Sequence, residues 1–554
     1  MMMQRRLRLA LAIGIALCTL ILASAVLYGV TGMIYIDYNK DLQYDSADLP
    51  LSGVVVSDGV TIVSTDDNGV FALDHDPEAG FVFICTPSGT RPLDGWYRDL
   101  TEGKPLDFPL GEVVDDSPLV FVQLSDTHYA TDPDEFKKAF YDRRMKVLPQ
   151  GVLDSIIDEV NSLAPDFVML TGDVVADAQR PPVELVDKWM AYVANQFAAN
   201  FTSPFFAVEG NHDIVRDEAV GKGIYEKYFG PTYYSFNRKG IHFVVLDTMQ
   251  LSGTKLTYTV SQNQLVWIEQ DLAAADPNAP IVVFCHEPTP SWANTEENAQ
   301  MLKLLANIGI TALLDGSWHA NFLIHQQYPF YELTSGAVCG SWWEGEAPDG
   351  SEFGYRVYRM SRGRLESIWQ EVGLNTVELS SPQGAVVFWN DTLQAAVWGE
   401  AKSASWQLDD RASIEAGLSH NMLWSTAYGN LNFSTLDGGY HSLTIDFLMV
   451  DGETVSRERS FYILNPNLTI DEMKSHSEVF IGKTVAVPRL EVKAIMGNDI
   501  SASDGSATII IGKFPIPVER KDVIGIVGIY REHSATLIKP YDPIFFTKYD
   551  EAAD

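Results

Sequence analysis

At five places in the chain an apolar run ends and passes at once to residues able to bind a metal ion. LVFVQLSDTH supplies Asp126 and His128, DFVMLTGD supplies Asp173, and FFAVEGNHD supplies Asn211, His212 and Asp213. IVVFCH and TALLDGSWH supply His286 and His319. Carboxylate, imidazole and amide donors together suit a borderline ion such as iron, zinc or manganese, not a thiolate-bound structural zinc. Asp126 and His128 are two positions apart, so a continuing strand pleat points both toward one ion. Two ions sharing a carboxylate and a hydroxide can hold the entering and leaving oxygens of a phosphoryl displacement. The chemistry implied is hydrolysis of a phosphate ester with metal-bound hydroxide as nucleophile.

Such ligands must be gathered by a scaffold, and in α/β sheets ligands collect beyond the carboxyl ends of strands. From Leu119 to about Gly373 strand-like runs alternate with helical patterns, the sequence form of a layered α/β domain. Gly151 to Ala164 places Leu153, Ile156, Ile157, Val160 and Leu163 on one helical face. Ser261 with Gln264 three residues later reads as a capping box opening another helix. The divisions expected are a membrane anchor or signal segment at 1–36, a small β-sandwich at 45–112, the α/β domain at 117–373, an Ig-like β-sandwich at 374–465 and an OB-like β-barrel at 466–550.

The blocks SDTH, GDVVAD, GNHD, CHEP and GSWH resemble, in order and separation, the DxH, GD, GNHD, H and GHxH blocks of calcineurin-like metallophosphoesterases. VSDG, STDDNG and FVFICTPSG upstream, and TSGAVCGSWWEGEAPDGSEFGYRVYRM downstream, look like one extracytoplasmic branch of that family, so the resemblance spans about Gly53 to Gly373. It implies a four-layer αββα core. It also implies that Asp126, His128, Asp173 and His319 hold one ion, while Asp173 as the bridge, Asn211 and His286 hold a second. His212 would contact the phosphate or protonate the leaving oxygen, kept cationic by a carboxylate partner, either Asp213 or Asp177. Asp177 follows Asp173 by four positions where many relatives use three. Ser317 stands where the family has the first histidine of GHxH, which implies a weak second site unless Asp315 or His325 fills in.

The remaining features bound the setting. Arg5, Arg6 and Arg8 precede an uncharged stretch from Leu9 to Ile36, which is expected to cross the membrane and leave the rest of the chain outside, single-pass, or secreted if cleaved after Ala25. A formal charge of -35 argues against nucleic-acid partners. Four cysteines, one of them Cys18 inside the apolar run, do not make a disulfide scaffold. Trp342, Trp343 and Tyr355 can line a substrate pocket or pack a core, and the C-terminal β domains can serve protein or glycan partners. A second functional reading is a cell-surface binding or adhesion protein with a degenerate metal site.

Overall fold

The computed structural model describes residues 29–130, 151–324 and 329–343 without a break, and most of 347–549 in shorter stretches. Contacts divide the chain into two compact units, one built mainly from residues up to Asp115 and the other from most of the remainder.

In the first unit the apolar run before Asp37 turns out to be divided. Gly29–Ile36 is a β-strand, antiparallel to Val70–Asp74 and parallel to Phe108–Glu112. Ile34 and Ile36 are buried with Val56, Phe71, Leu73, Val82, Phe108 and Leu110. A second, antiparallel sheet joins Ile62–Ser64, Val55–Ser57, Phe81–Ile84 and Tyr97–Asp99. Residues 29–36 are therefore apolar because a sheet buries them, and the β unit begins at Gly29 instead of residue 45. The apolar character of Val26–Ile36 no longer argues for an uncleaved anchor. Leu9–Tyr28 lies outside the described residues and still has the length of a membrane-crossing helix. Among the described residues no helix is long and apolar enough to cross a membrane.

The second unit holds the α/β domain. Phe205–Val208, Phe167–Thr171 and Leu119–Leu124 run parallel, and Gly354–Ser361 and Arg364–Glu371 extend that sheet antiparallel. A second sheet aligns Ile241–Val245, Ile281–Phe284, Ala312–Asp315 and Tyr331–Thr334 in parallel, with Phe322–Ile324 antiparallel at its edge. These strands read as unbroken apolar runs because both faces are covered. Phe121 stacks between Phe167 at 4.9 Å and Tyr358 at 4.7 Å, and meets Phe243 and Phe284 of the other sheet edge-on at 5.8 Å. That offset and T-shaped set is the favourable geometry for aromatic rings, and it joins the two sheets face to face. On the other side of the first sheet, helices Val152–Leu163 and Val183–Asn200 bury Ile156, Val160, Trp189 and Val193 against Val122, Leu124, Val168 and Leu170.

The helix expected at Gly151–Ala164 is Val152–Leu163, opened by Gly151 at φ 86. Ser261 Oγ accepts from the Gln264 amide at 3.1 Å, but the Gln264 side chain does not return to Ser261; it bridges the backbone of Asp247 at 2.6 and 2.9 Å. Only half of the capping box forms, because a buried strand end offers Gln264 a donor and an acceptor together.

Beyond residue 376, Val377–Ser381, Thr392–Trp398, Trp424–Asn430 and Gly417–His420 form one antiparallel sheet, and Ala401–Leu408, Gly439–Met449 and Thr454–Ile463 contribute to another. Trp424 and Ala396 reach into the core of the α/β domain, and Arg356 Nη2 meets Glu378 Oε1 at 2.6 Å. The last strands, Thr484–Met496, Asp499–Ser503, Thr508–Ile511, Val523–Ile529 and Thr547–Tyr549, follow an open antiparallel order. The expected OB-like closure would require residues outside those described.

Gly29–Ile36 supplies an internal strand of its sheet, so where the chain is cut decides whether the first unit folds. A chain beginning at Val26 is expected to keep residues 29–115 resistant to proteolysis. One beginning at Asp41 is expected to expose them to rapid cleavage. Equal resistance of the two would show that this strand is dispensable.

Candidate metal centre

Each parallel strand stops short of its metal-binding residue, and the chain then turns through left-handed backbone. Asp126 (φ 54), His128 (φ 38), Asp173 (φ 52), Ser317 (φ 65) and His319 (φ 52) all lie in a region that non-glycine residues avoid at a cost of about 1–3 kcal/mol each. The strand pleat therefore does not continue through Asp126 and His128, as the two-residue spacing suggested. Their side chains converge because the Asp126 amide donates to Gly172 O at 3.1 Å and the His128 amide to Asp173 O at 2.9 Å, which locks the turn. Two glycines give the clearance: a Cβ on Gly172 (φ +88) would lie 2.3 Å from His286 Nδ1, and one on Gly316 would lie 1.9 Å from Ser125 Oγ.

Asp173 Oδ2 is the hub, 3.4 Å from His128 Nε2 on one side and 3.4 Å from His286 Nε2 on the other. On the first side Asp126 Oδ1 lies 3.4 Å from His319 Nε2 and 3.8 Å from His128 Nε2, and the two Nε2 atoms are 3.0 Å apart. On the second, His286 Nε2 is 3.1 Å from Asn211 Oδ1. The outward atoms are already engaged. His286 Nδ1–H donates to Thr171 O at 2.7 Å and His319 Nδ1–H to Gly340 O at 2.9 Å, so both present the Nε2 lone pair inward. Asp126 Oδ2 accepts from the Ser125 hydroxyl and, at 3.0 Å, from the Ser317 amide, while Asp173 Oδ1 accepts from the His212 amide at 2.8 Å. Asp126 Oδ1 is buried with no hydrogen-bond partner.

This donor set fits metal ions. Lone pairs face lone pairs at distances where a cation, and not another proton donor, satisfies them. Burial opposes charge on Asp126, yet facing His319 and His128 hold its carboxyl well below the usual range. Asp173 is likewise held low against its burial, by His286 and His212.

The carboxylate partner expected for His212 is not where it was sought. Asp213 turns away, accepting from the Val175 amide at 3.1 Å and the Gly210 amide at 2.9 Å, and burial beside Asp173 pushes its carboxyl up to about 7. Asp177 Oδ1 lies 3.8 Å from His212 Nδ1, too far for a hydrogen bond. His212 Nδ1–H donates to the Ala176 carbonyl at 3.0 Å. With a neutral carbonyl as partner, burial prevails and takes the imidazole down to about 4, although Asp173 pulls the other way. His212 is the open member of the cluster, its side chain 21% exposed against 7% or less for His128, His286 and His319.

Of the groups near Ser317 in sequence, Asp315 faces Glu332 and Thr334, where burial and Glu332 push its carboxyl well up. His325 lies outside the described residues. Sequence reasoning passed over Glu287, a buried carboxylate that meets the hydroxyls of Ser317 and Tyr258; its only signal was the place directly after His286. It also missed Cys339, whose thiol lies 3.5 Å from His319 Nδ1, behind the ring. The free cysteines Cys85, Cys285 and Cys339 are all buried.

Residues 119–320 match the family model described as calcineurin-like phosphoesterase, and residues 39–104 match that of the N terminal of calcineurin-like phosphoesterase. The chain is 27% identical over 247 residues to purple acid phosphatase 15 of Arabidopsis thaliana, covering 37% of this chain and 45% of that one. It is 27% identical over 154 residues to the DNA double-strand break repair protein Mre11 of Methanococcus maripaludis, covering 27% and 38%. It is 26% identical over 215 residues to a cAMP/cGMP dual specificity phosphodiesterase of Mycobacterium tuberculosis, covering 36% and 61%. The match thus spans less than two thirds of the length of each relative. With its ligand blocks inside the matched segment and the matching N-terminal domain before it, the chain belongs to the calcineurin-like phosphoesterases.

Proposed function

We propose that the protein is a metal-dependent hydrolase of phosphate esters, a phosphomonoesterase or phosphodiesterase, working at the outer face of a membrane to which Leu9–Tyr28 tethers it. The observation that carries the chemistry is the convergence of Asp126 Oδ1, Asp173 Oδ2 and three imidazole Nε2 atoms with no proton donor among them. The names of two relatives, an acid phosphatase and a cyclic-nucleotide phosphodiesterase, agree with that class. The topology rests on Arg5, Arg6 and Arg8 before the apolar run.

Asp126, His128, Asp173 and His319 would hold one ion, and Asp173, Asn211 and His286 a second. Ions such as iron, zinc or manganese supply charge neutralisation at the phosphoryl oxygens and activate the attacking water. Asp173 keeps both halves in register through Oδ2 while the His212 amide fixes Oδ1. His212, oriented by the Ala176 carbonyl, has Nε2 left for the substrate. Burial disfavours its cation, and an arriving phosphate dianion works in the opposite direction, so His212 gains its proton as the ester binds and can pass it to the leaving oxygen.

Asp173→Asn is expected to lower bound metal at both positions and abolish turnover of a generic aryl phosphate. His212→Ala is expected to keep its metal, measured by mass spectrometry, and lose about 10²- to 10⁴-fold in turnover. Metal loss in the histidine variant would reassign His212 to the ligand set. No turnover by the wild type with zinc, manganese or iron would favour the binding-protein reading.

Ser317 weakens the second half of the centre, because a neutral hydroxyl is a poorer donor than imidazole. Ser317→His is therefore expected to raise metal content toward two per chain and to increase turnover. Two tightly held ions in the wild type, with no gain in the variant, would point to another group, Glu287 first, as the compensating ligand.

A further inference from the structure

Adjacent tryptophans follow the strand Tyr331–Thr334, and the structure gives them different duties. Trp343 is buried in the domain core, its indole N–H directed at His128 O at 3.4 Å. Tyr355 is likewise buried, its hydroxyl donating to Glu159 Oε2 at 3.1 Å. Trp342 is only half-buried and lies over the metal-binding histidines. Its ring centroid is 4.0 Å from that of His128, 4.7 Å from His319 and 5.2 Å from His212. Both tryptophans have left-handed backbone, φ 54 and φ 63, a costly arrangement for bulky residues that persists only where the surroundings enforce it. They are enforced here by the turn that bears them: Val338 N donates to Ser125 O at 2.7 Å, Cys339 N to Asp126 O at 3.3 Å and Trp343 N to Cys339 O at 2.8 Å. Gly340 of the same turn fixes the His319 tautomer.

We infer that Trp342 is a specificity-determining residue, forming the wall against which a flat aromatic leaving group of the ester stacks. The inference rests on the phosphoester-hydrolase reading and names the substrate class for it. The histidine ligands are closed to solvent and His212 is not, so the leaving group departs past His212. Trp342 flanks that position with its ring inclined at 63° to His212. An indole beside the leaving oxygen stacks an aryl or nucleobase group and gains nothing from a short alkyl chain. With Trp343 turned into the core, Trp342 was free to be placed outward, and its strained backbone has no role in core packing to account for it.

The test compares full-length wild type, Trp342→Ala and Trp342→Phe, each with metal content measured, on phenyl phosphate and isopropyl phosphate. Trp342→Ala is expected to lose roughly 5- to 50-fold in kcat/KM on the phenyl ester, with the isopropyl ester little changed, and Trp342→Phe is expected to restore most of the phenyl preference. Calorimetric binding of phenylphosphonate and methylphosphonate gives a second measurement that needs no turnover. If the wild type hydrolyses no ester, the function proposed above fails, while selective loss of phenylphosphonate binding in Trp342→Ala still upholds the aromatic wall. Equal losses on both ligand classes, loss of metal from Trp342→Ala, or no change in either assay would each overturn the inference.

Discussion

Buried lone pairs converge around Asp173 Oδ2, and much of the surrounding structure is arranged to keep them converging. An unsatisfied buried acceptor costs about 1–3 kcal/mol, and more when charged, so a chain without ions there would relax by turning side chains outward. The structure closes those exits. Thr171 O and Gly340 O hold two imidazoles by their far nitrogens, and Ser125, the Ser317 amide and the His212 amide hold the far oxygens of the two carboxylates. Left-handed turns and the absent Cβ atoms of Gly172 and Gly316 let these groups approach. Such strain persists only on a rigid base, which the stacked rings of Phe121, Phe167 and Tyr358 and the facing Phe243 and Phe284 provide.

The strand ends were legible because residue type and position coincide there: apolar runs buried on both faces can only be internal strands, and polar residues directly after them must sit at a sheet edge. Local geometry beyond those ends was not legible. The two-residue spacing of Asp126 and His128 suggested a continuing pleat, whereas backbone of opposite hand brings them together, and no sequence period encodes that. Asp213 misled for a related reason. Adjacency to His212 in GNHD looks like partnership, but residues in a tight turn point apart, and the Asp213 carboxylate is spent on two backbone amides of the loop. The first strand was misread because an apolar stretch is the same signal whether lipid or a sheet covers it; only pairing with Val70–Asp74 and Phe108–Glu112 separates Gly29–Ile36 from the residues before it.

The turn from Val338 to Trp343 shows how a segment without an obvious motif can govern a site. It contributes no ligand to the set expected from sequence, yet it fixes the His319 tautomer, braces the loop of Asp126 and carries both tryptophans. Aromatic residues side by side gave two readings, pocket or core, and each proves right for a different residue. What assigns them is the sign of φ and the burial of Trp343, both tertiary properties.

Ser317 can be understood from the same separation of backbone and side-chain duties. Its amide donates to Asp126 Oδ2 and so leaves Oδ1 for the site, a task any residue with a free N–H at that φ can perform. The side chain carries a different task, which in the family belongs to a histidine at the second half of the centre. Replacing that histidine therefore leaves the Asp126, His128 and His319 cluster braced as before, because nothing in that cluster depends on the lost imidazole. The change falls on the His286 and Asn211 side alone, where the Ser317 hydroxyl meets Glu287 and a second carboxylate enters the neighbourhood. The two halves of the centre, joined only through Asp173, are thus free to diverge in affinity without loss of the fold that holds them.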